Sequence, residues 1–205
     1  MQILNKRDIA LSVVIGAIGA VLFLFLFPGN AISTIMHQVL MLPGPGIGFG
    51  IVIGPFIIMC ALIAYGLGKK QGIPLITSAA AGVFISVLIF VFQIKVAHPG
   101  TIGSAAFTAG AVVIGVVLEV MVYLLREKGE LLKYAVSAVA SDLIFLAYSM
   151  IAIFSNVMPD KYAQLTLDKI FIIFGASVIG AVIIGSLLSL LILRLTEFVK
   201  KPAKI

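Results

Sequence analysis

Long apolar runs, separated by short polar stretches, make up most of this chain. Six of the runs contain about 20 mostly apolar residues, the length that crosses roughly 30 Å of hydrocarbon as a helix. Together they predict that residues 1–205 form one membrane domain, with no separate soluble domain. We therefore predict an all-α integral membrane protein with six transmembrane helices, at Ile9–Phe27, Ile47–Leu67, Leu75–Phe92, Gly103–Leu125, Tyr134–Ser155 and Ile170–Leu193.

The composition agrees with this pattern. Hydrophobic residues make up 62% of the chain and charged residues 11%, whereas soluble domains have about 45–50% and about 25%. The net charge of +6 does not indicate nucleic-acid binding, because the Lys and Arg residues lie almost entirely between the apolar runs. We expect a multi-pass protein of the cell membrane.

The basic residues also predict the orientation. With six spans both termini lie on one side, and the other side has only Lys95, Lys161 and Lys169. Because cytoplasmic loops are enriched in Lys and Arg, we expect both termini to be cytoplasmic. The termini's side holds the remaining basic residues: Lys6, Arg7, Lys69, Lys70, Arg126, Lys128, Lys133, Arg194, Lys200, Lys201 and Lys204.

The first outer loop, residues 28–46, is unusually apolar for a connection. Pro and Gly stand at both of its ends, and the apolar residues between them follow helical spacing. A short hinged helix could form a lid over an outward pocket or lie inertly at the interface. Asn30, His37 and Gln38 are among its polar side chains.

Glu119 and Asp142 are the only charged residues within the six predicted spans. An ionisable group inside a membrane is costly and indicates function unless it is paired. The spacing places both carboxyls at similar depth, somewhat cytoplasmic of the midplane, on adjacent antiparallel helices. Three roles remain open: anchoring an amino-pyrimidine or cationic ligand, relaying protons or cations, and capping a serine or backbone group.

Other polar residues near the outer side could meet a polar solute, although each could equally be a solvated loop residue. They include Tyr148 and Asn156, in addition to Asn30, His37 and Gln38. The two histidines are too few and too far apart to predict a metal site. The chain contains no phosphate-binding GxxxxGK[ST] loop, HExxH or GxSxG motif. We expect neither a cofactor nor catalysis, and no ATP hydrolysis by this chain.

Small residues recur at four-residue spacing on the first helix, at Ser12, Gly16 and Ala20. Such a stripe lets another helix approach closely in lipid. It could pack within the six-helix bundle or form a docking surface for another membrane protein.

Three segments resemble S components, the substrate-capture subunits of energy-coupling factor (ECF) transporters, and in particular the thiamine and hydroxymethylpyrimidine type. They run from Cys60 to Ala80, from Gly115 to Arg126 and from Ser137 to Leu143. The resemblance implies a membrane-embedded T component and cytoplasmic ATPase subunits as partners, and an outward pocket capped by the first loop. It also implies that Glu119 contacts the ligand and that Gly16 and Ala20, at the positions of the family's Ala-x-x-x-Ala signature, contact the T component.

Two functions follow as hypotheses. The first is a substrate-binding subunit that captures a vitamin or vitamin precursor from outside, with Glu119, Asp142, Tyr148 and the polar residues above around the ligand. The alternative is a small ion-coupled transporter or channel subunit that uses Glu119 and Asp142 as a proton route.

Overall fold

A computed structural model describes residues 4–26, 48–94, 102–155 and 166–200, with the side chains of the last two excepted. These residues form helices and connections without strands. Six helices are long and apolar enough to cross a membrane, which confirms the all-helical class and the predicted number of such helices. They are α1 (Lys6–Leu26), α2 (Phe49–Gly68), α3 (Ile73–Phe92), α4 (Ala105–Leu124), α5 (Glu130–Phe154) and α6 (Leu167–Gly180, Ala181–Leu188 and Ser189–Lys200).

Helix α1 begins earlier than hydropathy predicts because polar side chains cap it. The Asn5 side-chain oxygen accepts from the Asp8 backbone N–H, and Asp8 Oδ2 accepts from the Asn5 N–H, both at 2.9 Å. This reciprocal pairing satisfies donors that the first helical turn leaves free. Helix α5 likewise begins four residues early, at Glu130, whose charge suits the positive end of the helix dipole.

Helix α2 lies at the centre of the bundle. It contacts each of the other five helices, and 72% of its most apolar window is buried, against 33–56% for the others. The outer helices follow one another around it, α1 beside α3, α3 beside α4, α4 beside α5 and α5 beside α6. Their outward faces carry exposed apolar side chains such as Phe25, Phe90 and Phe171, as expected for a surface solvated by lipid.

Both short connections lie at the same end of the bundle. Lys70, between α2 and α3, pairs with Asp8 at the start of α1 at 2.7 Å. The Gly72 backbone N–H, in the same connection, donates to Glu119 near the end of α4 at 2.7 Å. We call this end, which carries residues 69–72 and 125–129, the link end. The start of α1 therefore lies there with both connections.

Helices approach one another closely at glycines. A β-carbon added at Gly16 of α1 would lie 2.7 Å from the Thr77 carbonyl oxygen and 2.8 Å from the Ala80 β-carbon of α3. At Gly180 of α6 it would lie 2.6 Å from the Ile51 carbonyl oxygen of α2. Lipid tails are as apolar as the surfaces of these helices, so close packing contacts of this kind favour helix association.

We predict that Gly16→Leu destabilises the protein by about 1–3 kcal/mol or more, because the new side chain cannot fit against α3. Thermal unfolding in detergent, followed with a thiol-reactive dye, should show a lower midpoint. The dye reports unfolding because the chain's single cysteine, Cys60, is buried.

Gly175→Leu is the matched control. Gly175 is an exposed helical glycine, and an added β-carbon meets nothing within 4 Å. Equal midpoints for the two variants would contradict the α1–α3 packing described above.

Candidate functional site

The Asp142 carboxyl lies in the interior of the bundle, midway along α5. The side chain is fully buried, and the Ser177 hydroxyl of α6 donates to its Oδ2. Its Oδ1 has no hydrogen-bond partner among the described residues. The ion pairs found among the described residues join Lys70 to Asp8 and Arg126 to Glu127. No basic side chain of the described residues therefore compensates Asp142.

Gly54 of α2 makes room for this carboxyl. A β-carbon at Gly54 would strike Asp142 Oδ1 and would lie 2.9 Å from the Phe145 ring. Counted at 1.5 Å per residue, Gly54 lies roughly 8 Å from the first residue of α2 and roughly 21 Å from its last. Asp142 thus contacts α2 nearer to the end of the bundle opposite the link end.

Both helices that contact the carboxyl change their hydrogen-bonding pattern beside it. Helix α2 opens with a π-helical segment, Phe49–Ile53, which ends at Gly54. Helix α6 contains a second one, Ala181–Leu188, which begins four residues after Ser177. π-helical turns are rare and occur frequently at functional sites. Within the described part of the bundle, which is otherwise α-helical, the two π-helical segments thus lie close to the contacts of Asp142.

Further buried polar atoms without partners lie on the same helix. On α5 the hydroxyls of Ser137, Ser141 and Ser149 have no hydrogen-bond partner among the described residues. With Asp142 we call them the polar row. Buried polar groups in proteins are usually hydrogen-bonded, so these unpartnered atoms distinguish the interior face of α5.

Glu119 lies in a different place from Asp142. Its Oε1 accepts the Gly72 N–H at the link end, whereas Asp142 contacts Ser177 and Gly54. The prediction that both carboxyls lie at similar depth is therefore wrong. Because α5 begins four residues before its predicted start, Asp142 lies roughly 18 Å from the first residue of its helix, whereas Glu119 lies roughly 8 Å from the last residue of α4.

The hydroxyl of Tyr148 donates to the Ala106 carbonyl oxygen at 2.9 Å. This bond ties α5 to α4 and occupies the hydroxyl within the described protein. Asn30, His37, Gln38 and Asn156 lie outside the described residues, as does the predicted outer loop 28–46.

The small-residue stripe of α1 is buried inside the bundle. Ser12, Gly16 and Ala20 are buried, and Gly16 packs against α3. Of the two interpretations of the stripe, the structure matches packing within the bundle. The close packing against α3 leaves no space at Gly16 for a helix of a partner.

Sequence reasoning missed Ser177 and Gly54 as neighbours of Asp142. Ser177 is one of several serines in an apolar helix, and Gly54 is one of several glycines in its part of the chain, so neither is distinctive in the sequence. Within the described parts of the chain, no group of three His, Cys, Asp or Glu residues could hold a metal ion.

No family model, curated protein or solved structure matches this chain.

We predict that Ser177→Ala lowers the free energy of unfolding by about 1–3 kcal/mol, because it leaves a second oxygen of the buried Asp142 carboxyl without a donor. Ser149→Ala is the matched control: Ser149 is equally buried, but its hydroxyl has no partner to lose. Its removal should be neutral or stabilising. Thermal unfolding in detergent, without added ligand, measures both, and an equal loss in the two variants would contradict the assigned hydrogen bond.

Proposed function

We propose that this chain is a substrate-binding membrane subunit of an ECF-type importer, and that Asp142 anchors a small amine-bearing solute of the thiamine or hydroxymethylpyrimidine type. The observation that carries the proposal is the Asp142 carboxyl, which is fully buried, lacks a basic partner among the described residues and keeps Oδ1 without a donor. An amino group of a ligand would supply the missing donor, and a cationic ligand group would supply the missing charge.

The surroundings of the carboxyl support the same proposal. It lies against the first third of α2, away from the link end, and the link end carries Lys69, Lys70 and Arg126. If the basic link end is cytoplasmic, Asp142 lies on the outer half of the protein, where a capture subunit needs its ligand site. Glu119, which the resemblance implies as the ligand contact, would then lie in the cytoplasmic half of the protein, away from the outer side.

The partners of the proposed importer follow from the resemblance and from the missing nucleotide motif. If uptake is driven by ATP, a chain without a phosphate-binding loop needs separate ATPase subunits, and in the ECF class these act through a membrane T component. The T component would have to dock on a surface of the bundle other than the buried stripe of α1.

The first test is ligand binding by the purified chain. We expect thiamine or hydroxymethylpyrimidine to bind the wild-type protein and Asp142→Asn to bind roughly ten- to a hundredfold more weakly. A hydrogen bond to a charged group contributes about 1.5–3 kcal/mol, and tenfold in affinity corresponds to about 1.4 kcal/mol. Titration calorimetry in detergent measures the dissociation constants.

Glu119→Gln is the matched control, since it makes the same carboxyl-to-amide change in the same bundle. Its dissociation constant should stay within about threefold of the wild-type value. Equal losses in the two variants, or unchanged binding by Asp142→Asn, would contradict the role of Asp142. Failure of both compounds to bind would reject the proposed ligand class.

The polar row favours one alternative function, a small ion-coupled carrier. Its hydroxyls at Ser137, Ser141 and Ser149 continue from Asp142 in both directions along α5, and unpartnered oxygens can transiently bind a cation or water. The alternative predicts proton-driven flux through liposomes that contain this chain alone, and loss of that flux in Asp142→Asn. Flux that requires ATP and further subunits would exclude it.

A further inference from the structure

A cavity of about 450 Å³ opens at the link end, away from Asp142. The last residues of α2 and of α4 form two of its walls, and the connection between α2 and α3 forms the third. Its lining residues are Tyr65, Lys69, Lys70, Gln71, Val122, Tyr123 and Arg126. The volume falls within the range of small-ligand sites.

The lining contains three basic residues and no acidic one. Lys70 is neutralised by Asp8 at 2.7 Å. Arg126 lies over the Tyr123 ring, with its guanidinium 4.7 Å from the ring centre, and its ion pair with Glu127, at 3.8 Å between two exposed side chains, contributes little. The described residues place no carboxylate within ion-pair distance of Lys69. Among the described residues, Lys69 and Arg126 therefore have no carboxylate within ion-pair distance other than the exposed Glu127.

The backbone of the connection holds these groups in place. Lys69 ends α2 in a left-handed conformation, with φ of 51°, and its N–H donates to the Tyr65 carbonyl oxygen at 2.6 Å. Three residues later Gly72, with φ of 86°, is fixed by its hydrogen bond to Glu119. Left-handed backbone is uncommon outside glycine. The connection thus presents Lys69 and Lys70 from a backbone fixed at both ends.

The position of the cavity in the bundle indicates which chemical class of ligand it can bind. Link-end residues mark the end of a membrane-spanning bundle, where phospholipid headgroups lie, and tyrosines such as Tyr65 and Tyr123 are typical of that interface. Arg126 offers a planar set of donors that matches phosphate oxygens, and Lys69 adds a point charge. Basic pockets between transmembrane helices bind anionic headgroups.

We infer that this cavity binds a phosphate group, with Lys69 and Arg126 as its principal contacts. The phosphate can come from an anionic phospholipid headgroup or from a free phosphate ion. The site is independent of the ligand proposed for Asp142.

The test titrates the purified full-length protein in detergent with two probes, short-chain phosphatidylglycerol and inorganic phosphate. We expect the wild-type protein to bind at least one of them, and the double variant Lys69→Gln with Arg126→Gln to bind it at least tenfold more weakly. Saturable binding of phosphatidylglycerol alone would identify a lipid site. Binding of both probes with the same dependence on the two residues would identify a general phosphate site.

The control is the double variant Lys128→Gln with Arg194→Gln, which removes the same charge from two exposed residues that do not line the cavity. It should bind within about twofold of the wild type, and thermal unfolding should be unchanged in both double variants. Equal weakening in the two double variants would show unspecific attraction to a basic surface and would overturn the site. Absence of binding of both probes by the wild-type protein would overturn it as well.

Discussion

The enclosure of α2 by five other helices is the constraint on which the rest of this structure depends. A helix that contacts five others keeps little of its surface for lipid, so its neighbours must approach it closely and supply most of its packing contacts. Gly54 and Gly180 permit two of these approaches, at which α5 and α6 come against the backbone of α2. The outer helices remain free to expose apolar side chains to lipid. Helix association thus depends on close packing at small residues and not on the hydrophobic effect.

The same close packing creates the polar interior. Because Gly54 has no side chain, the Asp142 carboxyl can reach the surface of α2, and Ser177 meets it from α6. The two π-helical segments lie in the two helices that make these contacts. A carboxyl in such a place lowers the stability of the empty protein unless its oxygens find donors. In the proposed function, a bound amine would supply the missing donor.

The sequence predicted the six helices well because each depends on a local property, a run of about 20 apolar residues. Their ends were less accurate where charged residues belong to the first turn, as Lys6 to Asp8 do in α1 and Glu130 and Lys133 do in α5. Asp142 was recognised because a charge inside an apolar run is a local signal. Its neighbours Gly54 and Ser177 were not recognised, because they are distant from it in sequence and because glycine and serine are common in membrane helices. The central position of α2 could not be predicted, since it depends on how all six helices assemble.

The most direct test of the central claim is to identify what the protein carries. Wild-type protein and Asp142→Asn would be purified as full chains under identical conditions and denatured, and the released small molecules would be measured by mass spectrometry. We expect a stoichiometric amine-bearing heteroaromatic compound, of the thiamine or hydroxymethylpyrimidine type, from the wild type and a strongly reduced amount from the variant. Equal amounts from both, or a wild-type protein that stays empty after incubation with these compounds, would contradict it.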